Sequence, residues 1–154
     1  MIKEKMKEYL NLNNLAFYEF PDGTTPTSVD AAEKLGVEVG QIAKTILFLG
    51  KSKKTYLIVC SGNRKISSSK LKKTIGEKAK LASYNETEKF TGYTPGGVCP
   101  FLVNVDNILI DESLNNYEKV FSAAGSSGSA VEVNYELLLK LTEGISADIT
   151  VEKG

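Results

Sequence analysis

The chain has 154 residues, 42% of them apolar, enough for one well-filled core, and residues 1–154 read as a single domain. Nineteen basic residues cancel nineteen acidic ones, a balance that argues against coating duplex nucleic acid, so no DNA partner is expected, though a local patch can still grip one end of an RNA. Histidine is absent, which removes Ser-His-Asp and Cys-His catalysis, the HExxH zinc site and the deaminase zinc motif together.

Ile2, Met6, Tyr9 and Leu10 recur at helical spacing among lysines and glutamates, so the chain opens on a helix, and a short strand over 15–20 follows. Pro21-Asp22-Gly23 is turn chemistry. Thr27 with Asp30 resembles a capping box for a helix that runs to Leu35 and ends at Gly36, and one more helical turn covers 39–43. Two strands, 44–49 and 55–60, are joined by a hairpin connection from Gly50 to Lys54. The run ISSSKLKKTIG reads as a helix capped by a serine and closed by Gly76. Asn85 with Glu88 starts another, closed by Gly92. Strands are expected at 101–105 and 108–110, around Asp106-Asn107. Two more, at 119–123 and 130–133, flank Gly125-Ser126-Ser127-Gly128. Asn134 caps a helix carrying Leu137, Leu138 and Leu141, and 145–151 forms a last strand. This order mixes hairpins with helices of uneven length, so the expected fold is a mixed α/β sheet wrapped by helices, not a regular βαβ repeat.

Without histidine, any chemistry falls to Lys, Asp/Glu, Tyr, Ser/Thr, Cys, backbone amides or the substrate itself. Lys44, in QIAKTILFLG, stands at the mouth of an almost continuously apolar strand. A lysine there either snorkels to water or is aimed at a ligand. In GYTPGGVCPF, residues 92–101, two prolines bracket Gly96-Gly97. Adjacent glycines let successive amides converge on an anionic oxygen, or simply make a turn. The segment lacks GxGxxG spacing and the strand–helix setting of a dinucleotide site, and no cofactor is expected. Gly125-Ser126-Ser127-Gly128-Ser129 is either a flexible hairpin tip or a second small-residue wall of a pocket.

The stretch RKISSSKLKK carries Arg64, Lys65, Lys70, Lys72 and Lys73, and Arg64 is the sole arginine of the chain. On a helix these residues form a basic face, either merely solvated or suited to RNA phosphates. Cys60 and Cys99 lie in no CxxC pair, and Cys99, with no histidine as base, reads as a packing residue. No metal site is expected. The charged opening MIKEKMKEYLNLNN shows no secretory leader, and apolar runs such as 46–49 are too short to cross a bilayer. A cytoplasmic protein with no membrane partner is expected.

Three segments together resemble the YbaK/EbsC family and the related editing domains inserted in some prolyl-tRNA synthetases. TSVDAAEKLGVEVGQIAKTILF, residues 27–48, is similar to the family's helix–turn–strand segment leading to a key lysine. TGYTPGGVCPF, residues 91–101, looks like its Gly-Gly-hydrophobic-x-Pro loop. VFSAAGSSGSAVEV, residues 120–133, is similar to its late strand–glycine loop–strand. The three stand in the family's order and cover nearly the whole chain.

This resemblance implies a largely antiparallel, curved sheet surrounded by helices, and hydrolysis of the ester between a mischarged amino acid and the tRNA 3′ end. It implies that Lys44 is the principal functional side chain, acting with Gly96 and Gly97. Tyr18, Thr45, Tyr93, Val98, Gly125, Ser126 and Gly128 would contact the aminoacyl-adenosine. The expected partners are the tRNA acceptor end, gripped further along by Arg64 and its neighbouring lysines, and a prolyl-tRNA synthetase. Cys-tRNA(Pro) is the expected substrate. The chain departs from the family at Ser126-Ser127, where well-known members carry basic residues, and at Ala130, where some carry an acid. Two other readings stand beside this one. The first is an inactive aminoacyl-tRNA or nucleotide-binding module that kept the pocket. The second is an interaction protein whose glycine loops are only turns.

Overall fold

In the computed structural model, which describes residues 1–153, helix α1 (Glu4–Leu12) forms where Ile2, Met6 and Leu10 recur every four residues. All three are buried in the main core. Strand β1 (Phe17–Glu19) follows. Helix α2 (Ser28–Leu35) is started by the Thr27 hydroxyl, which accepts from the Asp30 amide at 3.1 Å, and is stopped by Gly36 in the left-handed region. A 3-10 turn, Val39–Gln41, then delivers the chain into β2.

Strands β2 (Ala43–Gly50) and β3 (Thr55–Ser61) pair antiparallel, with Lys44 opposite Cys60 and Leu49 opposite Thr55. Every residue of β3 is buried, so the strand is covered on both faces. Leu57 and Ile58 therefore feed different clusters on opposite sides of the sheet. Two further strands follow: β4 (Arg64–Ile66), after which helix α3 (Ser68–Ile75) begins, and β5 (Ala79–Leu81) on the outer edge of β2. Helix α4 (Tyr84–Thr91) leads to the Gly96-Gly97 loop. Strand β6 (Asn107–Asp111) lies parallel to β3.

Strands β7 (Val120–Ser122) and β8 (Ser129–Val133), helix α5 (Tyr135–Thr142), β9 (Ile145–Ala147) and β10 (Thr150–Glu152) close the chain order. The five-stranded sheet runs β5-β2-β3-β6-β9, antiparallel on the β5 side and parallel on the β9 side. A three-stranded antiparallel sheet runs β1-β8-β7, and β10 pairs with β4. A single bridge, Ile42 to Phe121, ties the entrance of β2 to β7. The fold is thus the expected mixed α/β arrangement, with its strands shared among three sheets.

Several local expectations are corrected. Residues 101–105 form no strand. Leu102 sits at φ +50°, and the Tyr93 hydroxyl holds the Phe101 and Leu102 carbonyls at 2.5 and 3.2 Å. The expected strand over 145–151 divides into β9 and β10, which join different sheets. Buried Asp111 fixes the divide by accepting from the Ile149 amide and the Thr150 hydroxyl at 2.9 and 2.8 Å. Helix α4 is capped two residues earlier than expected, by Ser83 and Glu86 in a reciprocal box. The basic run 64–73 is split between β4 and α3, so its five cations do not share one helix face.

Candidate active site

A cavity of about 110 Å³ opens where the start of β2, the N-terminus of α2, the Gly96 loop and the β7–β8 hairpin converge. Ala43, Lys44 and Thr45 form its β2 wall. Ala31 and Leu35 face it from α2, and Phe121 and Ala130 from the three-stranded sheet. Between these apolar patches stand hydroxyls: Thr25, Thr27, Ser28, Ser122 and Ser129. Gly96, Val98, Pro26, Ile42 and Ala123 complete the lining. Among the described residues that line it, Lys44 is the one charged group. The N-terminal end of α2 adds partial positive charge, so the cavity suits an anionic or strongly polarised oxygen.

Lys44 is half-buried, and its ammonium donates to the Arg64 carbonyl at 2.5 Å. Burial holds its pKa below the ordinary 10.5. Nearby Lys153 adds to the lowering. Cys60, opposite Lys44, is pushed up to about 12, chiefly by burial, so at neutral pH Lys44 faces an uncharged thiol. Among the described residues no carboxylate pairs with Lys44. Thr45, the following residue, leaves the opposite face of β2, and its hydroxyl is buried with no hydrogen-bond partner in the protein. A buried polar atom without a protein partner is costly to keep, and Thr45 also lines the cavity.

Val98 anchors the glycine loop by packing with Leu47, Leu49 and Leu57 against the sheet. Gly96 lies at φ +96°, a conformation that side chains oppose. Gly97 is needed for close approach, since a Cβ there would fall 2.9 Å from the backbone of Ser126. Its amide closes a turn on the Thr94 carbonyl at 3.0 Å. That corrects the expectation that the Gly97 amide faces substrate; the lining comes from its neighbours Gly96 and Val98.

The other expected residues separate into two groups. Tyr93 is outside this lining, its ring against Gly125 in a separate concavity beside α1, and burial raises its phenol pKa. Gly125, Ser126 and Gly128 are also outside the lining, in a loop that touches Gly97 and holds the turn before α2. The Ser127 carbonyl accepts from the Thr25 amide and hydroxyl at 2.7 and 2.9 Å, and the Gly128 carbonyl accepts from the Phe20 amide at 2.7 Å. These residues shape the cavity without lining it. Tyr18 is exposed on β1, paired in register with the lining residue Ala130, and is itself outside the lining.

Thr25, Ser28 and Ser122 were not legible as site residues, while Ser129 belonged to the run read as a possible pocket wall. The hydroxyl-rich runs TTPTS and SSGS were the available signal. Cys99 is fully buried, donates weakly to the Phe101 carbonyl, and is raised to about 11 by burial, which keeps the thiol neutral. Arg64 is spent on the Thr150 hydroxyl and carbonyl at 2.9 and 3.1 Å. Lys70 is spent on Asp148 and the Thr150 carbonyl, both at 3.0 Å. Lys65, Lys72 and Lys73 are exposed. Among the described residues no group of three or more His, Cys, Asp or Glu is placed to hold a metal ion. No described helix is long and apolar enough to cross a membrane.

Comparison with known proteins bears on this site. Residues 22–141 match the model of the aminoacyl-tRNA editing domain. The chain is 40% identical over 111 residues to the uncharacterized protein YwhH of Bacillus subtilis (strain 168), covering 71% of each chain. It is 31% identical over 139 residues to EbsC of Enterococcus faecalis (strain ATCC 700802 / V583), covering 88% of this chain and 85% of EbsC. EbsC is provisionally named a Cys-tRNA(Pro)/Cys-tRNA(Cys) deacylase. A crystal structure provisionally described as a trans-editing enzyme for prolyl tRNA synthetase superposes with a TM-score of 0.86 at 28% identity, covering the whole of both chains. The matched residues run from the turn before α2 through Lys44 and both glycine loops to α5, and the chain belongs to the aminoacyl-tRNA editing domain family, of the YbaK/EbsC type.

Proposed function

We propose that the protein is a trans-editing deacylase that hydrolyses the ester joining a wrongly attached amino acid to the 3′ end of tRNA, with Cys-tRNA(Pro) as its substrate. The observation that carries this reading is the cavity itself, which offers hydrogen-bond donors and one ammonium and is lined by no carboxylate. Ester hydrolysis builds negative charge on the carbonyl oxygen, and donors fixed in advance around that oxygen lower the barrier.

An ammonium has three donors, and the Arg64 carbonyl takes one from Lys44. The remaining two, with the Thr45 hydroxyl and the backbone at Gly96 and Val98, supply the stabilising set. Neither cysteine serves as nucleophile in this reading, because both are fully buried and outside the cavity lining, and burial raises both thiol pKa values. Attack therefore comes from a positioned water or from a group of the substrate, and the ester is activated enough to need no strong protein base.

A synthetase pocket that accepts proline cannot strongly reject smaller residues, since one methylene is worth only about 1–3 kcal/mol, so a second hydrolytic sieve is useful. The partners in this reading are the tRNA acceptor end and, for handover, prolyl-tRNA synthetase. Deacylation of Cys-tRNA(Pro), Ala-tRNA(Pro), Pro-tRNA(Pro) and Cys-tRNA(Cys) tests it. The expected result is release of cysteine from tRNA(Pro) well above the spontaneous rate, with Pro-tRNA(Pro) spared. Binding of tRNA with no release from any of the four would contradict it and favour a binding module.

A further inference from the structure

At the opposite end of β2 from the cavity lies a second concavity, a groove of about 740 Å³ floored by Leu49, Gly50 and Ala79. Its rim carries Lys51, Lys53, Lys78, Lys80 and Lys89. The five come from three separate places: the β2–β3 turn, the edge strand β5 with the residue before it, and helix α4. All five are exposed, and among the described residues none forms an ion pair. The lining holds one carboxylate, Glu86, which accepts from the Ser83 amide in the α4 cap and lies near Lys80 and Lys89, so five lysines stand against one carboxylate. Close behind the turn, Glu77 is likewise occupied by Ser52 and the Tyr56 hydroxyl.

Lysines on an edge strand ordinarily guard it against pairing with another chain, which accounts for Lys78 and Lys80. It does not account for their convergence with lysines from a turn and a helix. In a chain with no net charge, this groove concentrates positive charge on one side. Phe90, 37% exposed, lines it too, with the Lys89 ammonium 5.3 Å from its ring centre.

Groove and cavity are joined twice. From Thr45 to Gly50, β2 spans about 17 Å at roughly 3.3 Å per residue. Helix α4, which carries Lys89 and Phe90, also runs directly into the loop that places Gly96 on the cavity.

We propose that this groove seats the sugar–phosphate backbone of the RNA whose 3′ end enters the cavity, with lysines on the phosphates and the Phe90 ring offered to a base. The proposal rests on the deacylase reading of the cavity. Ammonium groups held this way neutralise phosphates without reading sequence, so the groove fixes the register of the strand and leaves selection of the amino acid to the cavity. It also moves the main RNA contact away from the 64–73 stretch, where Arg64 and Lys70 are tied to β10 and Asp148.

The test uses the full chain and two triple variants, Lys78→Glu/Lys80→Glu/Lys89→Glu in the groove and Lys65→Glu/Lys72→Glu/Lys73→Glu around α3. Unacylated tRNA binding is read by fluorescence anisotropy at two salt concentrations, and hydrolysis is read on a 3′-aminoacyl-adenosine ester. The groove variant is expected to lose at least about ten-fold in tRNA affinity. Its salt slope should flatten by about two to three, because three phosphates no longer meet a lysine. Its loss should exceed that of the α3 variant, and should exceed its own loss on the small ester. The corresponding Lys→Gln triple replaces it if the Glu variant melts early. Wild-type tRNA affinity in the groove variant, or no tRNA binding by the parent chain, overturns the proposal. If the groove variant loses tRNA affinity while the parent hydrolyses no ester, the groove stands and the deacylase reading falls.

Discussion

Thr45 lines the cavity and carries a buried hydroxyl with no hydrogen-bond partner in the protein. Removing a group that makes no bond in the free protein relieves a desolvation cost instead of breaking a contact. Thr45→Val is therefore expected to leave the melting temperature equal or raised while lowering kcat/KM about ten-fold or more. Thermal melts and deacylation rates on the same sample check both halves. A variant that is destabilised and fully active would mean that the hydroxyl serves the fold alone.

Lys44 gives a pH test at the same scale. Its pKa is lowered on folding, so the unfolded chain holds this proton more tightly, and raising pH between the folded and unfolded values favours the fold. Activity moves the other way, because the ammonium is lost as pH rises through the folded value. The enzymatic rate, corrected for spontaneous hydrolysis, is expected to fall on an alkaline limb centred below 10.5. A limb at or above the ordinary lysine value would detach it from Lys44.

At the scale of elements, the site depends on two loops meeting without side chains between them. A methyl group added at Gly97 would sit 2.9 Å from the Ser126 backbone, and neither loop is free to yield, since Ser127 and Gly128 are bonded to the turn before α2. Gly97→Ala is expected to cost about 1–3 kcal/mol of stability, as overpacking does, and to reduce activity by shifting Gly96 and Val98. A melt superimposable on wild type would show that the loops part easily.

These loops also show where sequence reading stops. The Thr27 cap, the β2–β3 hairpin and the αL glycines at 36, 76 and 92 were legible because each is a local event between residues a few positions apart. Strand β5 and the division of β9 from β10 were not, because AKL carries no run of β-formers and the break at 148–149 is set by the distant Asp111. Residues 101–105 misled by composition. Phe101 is buried for packing against Tyr9, and the backbone there bonds a tyrosine side chain in place of a strand. For the same reason Lys44 could be singled out from one segment, while Thr25 and Ser122 became site residues only when distant loops came together.

On the scale of the molecule, β2 connects the two features that matter for function. One end places Lys44 and Thr45 in a small cavity rich in donors, and the other floors a groove rimmed by lysines. Lys44 is the cavity's one charged lining group among the described residues, so the chemistry assigned to this end of the strand depends on it most. The most direct test of the account is single-turnover deacylation of Cys-tRNA(Pro) by wild type and Lys44→Ala, with melting curves recorded for both. Loss of one preorganised donor is expected to slow hydrolysis by about 100-fold or more, with tRNA affinity and fold retained. Hydrolysis by a folded Lys44→Ala protein at the wild-type rate would contradict the account.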